Sequence, residues 1–247
     1  MEKDVIIEAC TRPSEHNEMY EITFSSGDVL EFSEDEVAEY GLYREGETCG
    51  DFDNLCTVIL SKRMMASVAS YVLFSAKTSS QVKMRLEADL KKGKFDTRWE
   101  RFGENAIFEA IKRLKELGYI DDVSYAEKYI ASALKGKPVS KAAILNDLVY
   151  KKGIDRDIAE AVVNIAFEKD NISDEESAYR LLYKKTGGHI PEDQKELSKI
   201  YRFAVGKGFS FATTEGAIRR IKAGDLYQYE YKLQYFTCFP WMCEKSG

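Results

Sequence analysis

The sequence predicts a mainly α-helical protein: an elongated tandem array of three-helix repeats, built of helix-turn-helix-like units and preceded by a small β-rich N-terminal domain. Apolar residues alternate with polar ones near the N-terminus but recur every three or four residues from about residue 60, as strands and helices require. A glycine-containing helix end recurs at intervals of 55 to 60 residues, which is typical of repeat proteins. Charge also divides unevenly between the two parts.

The composition indicates a chain that folds around a core. Its 247 residues are 44% hydrophobic and 32% charged, with only four prolines, which excludes a wholly disordered chain, collagen and a small disulfide-stapled scaffold. We find no apolar run near the roughly 18 to 20 residues that a membrane-spanning helix needs. The start, MEKDVIIEAC, lacks the basic and apolar regions of a signal peptide. We therefore expect a cytoplasmic protein without membrane contact.

The cysteines and histidines predict neither a metal site nor a nucleophilic centre. The cysteines form no C-x-x-C pair and lie apart from the two histidines, His16 and His189. An odd number of cysteines in an intracellular chain most simply means reduced thiols. We expect no cofactor, no metal and no enzymatic activity. The cysteines are Cys10, Cys49, Cys56, Cys238 and Cys243.

The small N-terminal domain is predicted over residues 1–57. Apolar residues alternate over residues 20–24 and resume over residues 29–32, and the turn-forming sequence SSGD lies between them at 25–28. This pattern predicts a β-hairpin, and residues 5–7 supply a plausible third strand.

A short acidic helix should follow the hairpin. Ser33 and Glu36 have the spacing of a capping box, so the helix should run from there toward Gly41, and residues 173–176 have the same spacing. Residues 1–57 carry three Lys/Arg against sixteen Asp/Glu, a balance of −13. Nothing here has catalytic spacing. The charge indicates a solvated face that could also repel DNA or meet a basic partner.

The remaining chain is predicted to contain three helical units, at about residues 60–120, 121–170 and 171–222, and an aromatic-rich tail at 223–247. Residues 58–247 carry 33 Lys/Arg against 26 Asp/Glu, a balance of +7, so this part could lie near phosphates. Apolar residues three and four apart mark the buried helix faces. These stripes include Met64, Val68 and Val72; Ile107, Ile111 and Leu114; Ile144 and Leu148; Ile158, Val162 and Ile165; and Leu197, Ile200 and Ala204.

The helix ends of these units are alike. KKGID at 151–155 and GKGFS at 206–210 share a basic residue, a glycine, an apolar residue and a helix cap, and KKGKFD at 91–96 is a weaker copy. We expect a left-handed backbone at each glycine and a capping side chain shortly after it. The predicted glycine ends are Gly118, Gly153 and Gly208, and the predicted caps are Asp121, Asp155 and Ser210.

Several of these segments resemble the RecX family of recombination regulators. They are RLKELGYIDD at 113–122, the VSYAEKYI and GKP that follow it, KKGID, and KIYRFAVGKGFS at 199–210. The resemblance covers roughly residues 60–222, and the acidic domain is similar to the β-rich extension that many members from Gram-positive lineages carry. Residues 94–104 form a longer stretch than the family pattern has.

The resemblance implies a monomeric, non-enzymatic protein that binds RecA recombinase. Members of the family are thought to lie along the groove of the RecA filament on single-stranded DNA, and to alter its growth, its ATP hydrolysis and strand exchange. We expect inhibition of the recombinase in DNA recombination, repair and the SOS response, although the sequence itself does not distinguish inhibition from stimulation.

Basic residues at helix ends and on polar faces are the candidate binding residues. They could contact DNA phosphates, single-stranded or duplex, or acidic surface on the recombinase. Lysines near helix C-termini also complement the helix dipole, which is the structural alternative. The candidates are Lys91, Lys92, Lys137, Lys141, Lys151, Lys152, Arg202, Lys207, Arg219, Arg220 and Lys222.

Aromatic and acidic side chains offer weaker candidates. Four tyrosines could stack on bases, but their helical spacing favours packing between helices. Asp121 and Asp122 precede a helix and are predicted to be caps instead of an acid/base pair. The aromatic tail could dock on its own chain or anchor a partner. The tyrosines of the helical part are Tyr119, Tyr125, Tyr129 and Tyr201.

Two other functions fit the same pattern. A helix-turn-helix transcription regulator would read duplex DNA with one recognition helix, whereas the cations here are spread over three units. A repeat adaptor without DNA contact would bind its partner with little dependence on salt.

Overall fold

The computed structural model describes residues 4–12, 18–136, 138–169 and 171–224. The chain divides into two compact units. The first comprises Met1–Tyr125 and Lys152–Ile154, and the second comprises Ala126–Lys151 and Asp155–Gly247. The fold is mainly helical with a small N-terminal antiparallel sheet, as predicted.

The sheet contains four strands in the order β3-β2-β1-β4. They are β1 (Val5–Thr11), β2 (Tyr20–Phe24), β3 (Val29–Phe32) and the short β4 (Thr48–Cys49). The predicted hairpin is confirmed, since β2 and β3 pair antiparallel with Ile22 opposite Leu30. The third strand extends beyond the predicted residues 5–7, and β4 was not predicted.

Helix α1 (Glu34–Tyr40) has the predicted capping box. The Ser33 hydroxyl accepts a hydrogen bond from the Glu36 amide at 3.3 Å, and the Glu36 carboxylate accepts one from the Ser33 amide at 2.8 Å. Gly41 ends the helix with a φ of 69°. The local sequence therefore determines both ends of this helix.

The first unit also contains three longer helices. They are α2 (Phe52–Phe74), α3 (Ser79–Lys91) and α4 (Gly103–Glu116), and a 3-10 helix, Thr97–Phe102, precedes α4. The inner face of the sheet and these helices share one apolar core, which includes Phe24, Phe32, Leu60 and Trp99. The predicted domain boundary at residues 57/58 thus lies inside α2, and the full predicted division of the chain stays a prediction.

Helix α2 corrects one sequence expectation. Its 23 residues are long and apolar enough to cross a membrane by length and composition, although no such run was expected. Ile59, Met64 and Val68 of this helix are fully buried in the core of the unit. One such helix is weak evidence for a membrane span, because core helices of soluble proteins pass the same test.

Six further helices follow within the described ranges, and their apolar stripes are largely confirmed. Val162 is buried as predicted, but Ile165 is 64% exposed. In the second unit, Leu182, Ile200 and Ile218 are buried in one core. The helices are α5 (Asp122–Lys135), α6 (Lys141–Asn146), α7 (Arg156–Lys169), α8 (Asp174–Thr186), α9 (Gln194–Val205) and α10 (Phe211–Lys222), and a π-helical turn, Asp147–Lys151, follows α6.

The predicted glycine ends and caps are confirmed. Gly118, Gly153 and Gly208 have φ values of 75°, 66° and 86°. The side chains of the three predicted caps accept amide hydrogen bonds from the next helix: Asp121 from Ser124, Asp155 from Asp157 and Ile158, and Ser210 from Thr213.

Two of these glycines lie in equivalent junctions, one in each unit. In the first unit, the Thr78 hydroxyl, which caps α3, donates to the Lys152 carbonyl at 2.7 Å. In the second, the Ser140 hydroxyl, which caps α6, donates to the Lys207 carbonyl at 3.0 Å. The glycine follows the lysine each time, so the recurrence of K-G marks a repeated contact.

A second hydrogen bond also recurs in these junctions. The Ser79 amide donates to the Asp122 carboxylate at 2.8 Å, and the Lys141 amide donates to the Asp174 carboxylate at 2.8 Å. Each aspartate is the first residue of a helix, and each amide belongs to the first residue of α3 or α6. The structure therefore repeats at the level of individual bonds.

Candidate partner-binding surfaces

The candidate cations of the first unit lie at two helix ends. Lys91 and Lys92 are exposed where α3 ends. Lys152 is half-buried, and its carbonyl accepts the Thr78 hydroxyl hydrogen bond. The backbone of Lys152 thus has a structural role, whereas Lys91 and Lys92 present their charges to solvent.

Three candidate cations of the second unit contact their own chain. Lys151 pairs with Asp147 at 2.6 Å. Lys141 lies 5.8 Å from the centre of the Phe167 ring. Arg220 pairs with Glu176 at 3.2 Å and lies 4.4 Å from the Tyr179 ring centre. These contacts favour the structural role that the sequence left open for such residues.

Glu176 also corrects the second predicted capping box. Ser173 accepts a hydrogen bond from the Glu176 amide at 3.0 Å, which is half of the box. The Glu176 carboxylate instead pairs with Arg180 at 3.0 Å and with Arg220. The carboxylate binds these arginines instead of the Ser173 amide because an arginine forms a charge-assisted hydrogen bond with a carboxylate.

The other candidates of the second unit are exposed. Arg202 and Lys207 lie at the end of α9, and Arg219 and Lys222 lie on the last turns of α10. Arg219 makes a loose pair with Glu215 at 3.8 Å. Within the described ranges, no carboxylate lies within 4.0 Å of Lys91, Lys92, Arg202, Lys207 or Lys222. Lys137 lies outside the described residues, as does nearly all of the aromatic tail.

A sequence signal for further cations was missed. AIKRLK at 110–115 on α4 returns as AIRRIK at 217–222 on α10. The match places Lys112 with Arg219 and Lys115 with Lys222, and all four side chains are exposed. Helix α4 lies at the end of the first predicted helical unit and α10 at the end of the third, so the predicted repeat gives the two helices equivalent places.

The two helices present similar exposed stripes. We define the α4 stripe as Glu104, Phe108, Lys112 and Lys115, and the α10 stripe as Phe211, Glu215, Arg219 and Lys222. Steps of three and four residues place each set on one helix face. Phe108 is 66% exposed and Phe211 is 62% exposed. Each stripe therefore combines one exposed phenylalanine, two cations and one glutamate.

The α4 stripe borders a groove of about 830 Å³ between α3 and α4. A Cβ atom on Gly103 would lie 2.4 Å from Leu90, so the end of α3 meets the start of α4. The lining is Leu90, Ile107, Phe108 and Ile111, with Lys83, Glu87, Lys91, Glu100, Glu104, Lys112, Lys115 and Glu116.

The tyrosines have three different environments. Tyr119 is 47% exposed, so the preference for packing is wrong there. Tyr125 and Tyr129 are half-buried, and the Tyr129 hydroxyl donates to Asp147 at 2.8 Å. Tyr201 stacks on Phe211 with ring centres 4.6 Å apart and planes at 15°. Burial and the nearby Glu215 raise the pKa of Tyr201, although Arg219 opposes this.

The aspartate pair has structural partners. Asp121 caps α5, as predicted, by accepting from the Ser124 amide at 2.9 Å. Asp122 accepts from the Ser79 amide and hydroxyl and pairs with Lys115 at 3.2 Å. Both carboxylates are therefore engaged in holding helix starts.

Among the described residues, no group of three or more His, Cys, Asp or Glu side chains is arranged to hold a metal ion. Cys10, Cys49 and Cys56 are free thiols. Burial raises the pKa of the Cys56 thiol, which keeps it protonated and unreactive.

The acidic N-terminal sheet is bound by arginines of the 3-10 helix. Arg98 pairs with Glu21 at 3.3 Å and with Glu31 at 3.0 Å, and Arg101 pairs with Asp28 at 2.9 Å. The hydrogen bond from Arg98 to Asp96 raises the pKa of Arg98, so this guanidinium stays charged. Part of the acidic charge is thus neutralised within the first unit.

These arginines belong to the stretch, residues 94–104, that exceeds the family pattern. Trp99 of the same stretch is fully buried and packs edge-on against Phe32 of β3. The extra residues therefore anchor the sheet to the helices of the first unit. Sequence periodicity gave no sign of this role.

Comparisons with known proteins agree with these features. The family model described as "RecX, third three-helix domain" matches residues 173–218. The chain is 29% identical over 129 residues to "Regulatory protein RecX" of Clostridium botulinum (strain Eklund 17B / Type B), covering 51% of this chain and 58% of that protein. It is 31% identical over 112 residues to "Regulatory protein RecX" of Chlorobium phaeobacteroides (strain BS1), covering 44% of this chain and 68% of that protein. Thus the chain spans less than two thirds of the Clostridium relative.

Two crystal structures share the helical repeat fold. "Crystal structure of regulatory protein RecX" matches with a TM-score of 0.51 and 18% identity, over 85% of this chain and 97% of that chain. "Crystal structure of RecX from Lactobacillus salivarius" matches with a TM-score of 0.52 and 24% identity, over 67% of this chain and 98% of that chain. With the sequence relatives above, these results show that the chain belongs to the RecX family of regulatory proteins.

Proposed function

We propose that this protein binds RecA recombinase on single-stranded DNA and lowers its ATP hydrolysis and strand exchange. Membership of a regulatory family supports a binding role in preference to an enzymatic one. The observation that carries the proposal is the pair of exposed basic stripes on α4 and α10. The proposal places the protein in the cytoplasm, as a monomer, where chromosomal DNA and the recombinase meet.

The presence of a basic stripe on both α4 and α10 favours a partner that is a polymer of identical subunits. A filament presents the same surface many times, and two similar stripes on one chain can each meet a copy of it. The second contact then forms at high effective concentration, so weak individual contacts add up to strong binding. Exposed lysine and arginine side chains can contact DNA phosphates or acidic protein surface.

The two rival functions make different demands on the same residues. A helix-turn-helix regulator concentrates its base-reading side chains on one recognition helix, whereas the exposed cations here divide between α4 and α10. An adaptor without DNA contact would bind with little dependence on salt. The filament proposal requires binding that weakens steeply as salt rises.

The test measures ATP hydrolysis by RecA on single-stranded DNA. We expect stoichiometric protein to slow hydrolysis, and Arg219→Glu with Lys222→Glu to raise the concentration needed by roughly tenfold, because two favourable charge contacts become repulsive. The control is Lys195→Glu with Lys199→Glu, which makes the same charge change on exposed positions of α9. Unchanged hydrolysis with wild-type protein would refute the proposed function.

A further inference from the structure

We infer that the α4 stripe is a binding site for single-stranded DNA, in which Phe108 stacks on a base and Lys112 and Lys115 contact phosphates. This inference rests on the proposed function only for its biological setting. Charge alone does not predict whether this surface prefers single-stranded or duplex DNA. The inference adds that preference and names Phe108 as the stacking residue.

Phe108 is the first reason. It is 66% exposed on a helix whose neighbouring apolar residues, Ile107 and Ala110, are buried. An exposed phenylalanine on a polar helix face offers a flat apolar surface to a ligand. Base–aromatic stacking tolerates any sequence because every base has a π-face.

The positions of the lysines are the second reason. Lys112 and Lys115 follow Phe108 by four and seven residues, so they lie on its face toward the end of α4. Lys112 lies 3.6 Å from Glu109, and Lys115 lies 3.2 Å from Asp122. Lys112 and Glu109 are both largely exposed, so their ion pair is weak and Lys112 can exchange it for a phosphate. Asp122 is only 12% exposed, so Lys115 keeps this pair and offers its remaining N–H donors to a phosphate.

The groove beside the stripe is the third reason. Its floor contains Leu90, Ile107 and Ile111, and its volume of about 830 Å³ leaves room for a splayed base. Ser79 and Lys115 both contact Asp122, so the start of α3 lies near the end of α4. Lys83 of α3 therefore adds charge at the basic end of the groove.

Carboxylates oppose phosphate binding in part of this groove. Glu100 lies in the 3-10 helix before α4 and Glu104 lies in the first turn of α4, away from Lys112 and Lys115. Glu116 is paired with Arg113 at 2.9 Å, and Glu87 lies 3.8 Å from Lys83. The strand should thus place its phosphates at the end of α4 and its base over Phe108.

The α10 stripe has the same components in a different order, because Phe211 precedes Arg219 by eight residues whereas Phe108 precedes Lys112 by four. Phe211 is 62% exposed and stacks on Tyr201, and Arg219 and Lys222 occupy the positions of Lys112 and Lys115. A base on the open side of Phe211 would extend an existing aromatic stack. Duplex DNA keeps its base faces covered and exposes only edges, so both stripes favour single strands.

The test measures binding of a fluorescent oligothymidylate of about 25 nucleotides by anisotropy, and of a duplex of the same length. We expect Phe108→Leu and Phe211→Leu each to weaken single-strand binding about fivefold or more, because base–aromatic stacking is lost. Duplex binding should not change. Phe74→Leu is the matched control, since Phe74 is 93% exposed at the end of α2 and has no place in either stripe.

Each outcome decides the inference separately from the proposed function. Unchanged single-strand affinity in both phenylalanine variants, with a loss in Lys112→Glu plus Lys115→Glu, would reduce the site to charge and overturn the stacking. If the phenylalanine and lysine variants bind oligothymidylate normally but no longer slow RecA hydrolysis, the groove binds protein. The DNA inference is then wrong, and the proposed function stands. If wild-type protein leaves RecA unaffected but Phe108→Leu weakens oligothymidylate binding, the DNA inference stands and the proposed function is wrong.

Discussion

Gly208→Ala should lower the free energy of unfolding of the second unit by about 2 to 4 kcal/mol. The glycine has a φ of 86°, which an alanine adopts only with strain. A Cβ atom there would also lie 2.4 Å from the Ser140 hydroxyl oxygen and 3.0 Å from the Ala143 Cβ. The hydroxyl caps α6 and donates to the Lys207 carbonyl, so it cannot turn away without losing both bonds.

A second glycine of the same unit separates the two causes. Gly187 has a φ of 64°, but a Cβ atom on it would meet nothing within 4 Å. Gly187→Ala should therefore cost only the backbone strain, about 1 kcal/mol. Urea unfolding followed by far-UV circular dichroism measures both values. Equal losses in the two variants would mean that the junction yields freely and that the K-G recurrence reflects backbone conformation alone.

Sequence reasoning succeeded wherever the cause was local. A left-handed glycine, a capping serine and a two-strand hairpin each depend on a few adjacent residues, so Gly208, Ser33 and the β2–β3 turn could be predicted. The close approach of Gly208 to Ser140 could not, because the two residues are far apart in sequence. Glycine is therefore required at position 208 for two reasons, and only the backbone conformation could be predicted from the sequence.

The role of the acidic charge in the N-terminal domain could be predicted only in part. An excess of carboxylates predicts a solvated face, but no residue of β2 or β3 is fully exposed. Arg98 and Arg101 reach Glu21, Glu31 and Asp28 across more than sixty residues of sequence. Helical periodicity carries no information about such pairs, so residues 94–104 looked like an insertion without a role.

The candidate surface was predicted in part. Arg219 and Lys222 were identified, but Lys112 and Lys115 were missed although their helix ends in nearly the same sequence. The middle repeat hides the relation. Counting from the caps Asp155 and Ser210, α7 carries Asn164 where α10 has Arg219. Because the middle copy differs, the similarity between the ends of α4 and α10 does not appear as a regular sequence repeat.

Arg63→Met should destabilise the first unit by about 3 kcal/mol, because the substitution leaves a partly buried carboxylate without its partner. Arg63 donates to the Glu36 carboxylate through Nε at 2.7 Å and Nη2 at 2.5 Å, and to the Glu31 carbonyl at 2.8 Å. Its guanidinium also lies 4.4 Å from the Trp99 ring centre. The side chains of Arg63 and Glu36 are 23% and 17% exposed.

The neighbouring lysine gives a matched control. Lys62 pairs with Glu39 at 2.5 Å, but both side chains are about half exposed. Lys62→Met removes the same charge from the same helix and should cost at most about 0.5 kcal/mol, since solvent screens an exposed pair. Urea unfolding of both variants by far-UV circular dichroism measures the difference. Similar losses would mean that burial contributes nothing to the Arg63 pair.

Acidification tests whether the ion pair itself is the cause. Burial raises the pKa of Glu36, but hydrogen bonds from Arg63 and Ser33 outweigh it and hold that pKa below its ordinary value. A carboxyl group with a lowered pKa stabilises the fold above its unfolded pKa of about 4.3, and this stability is lost as the pH falls through the folded value.

In Arg63→Met the hydrogen bonds from Arg63 are gone while burial remains, so Glu36 is easier to protonate. The gap between wild type and Arg63→Met should therefore be widest near neutral pH and narrow below about pH 4.3. A gap that stays constant through this range would assign the loss to the contact with Trp99 instead of the carboxylate.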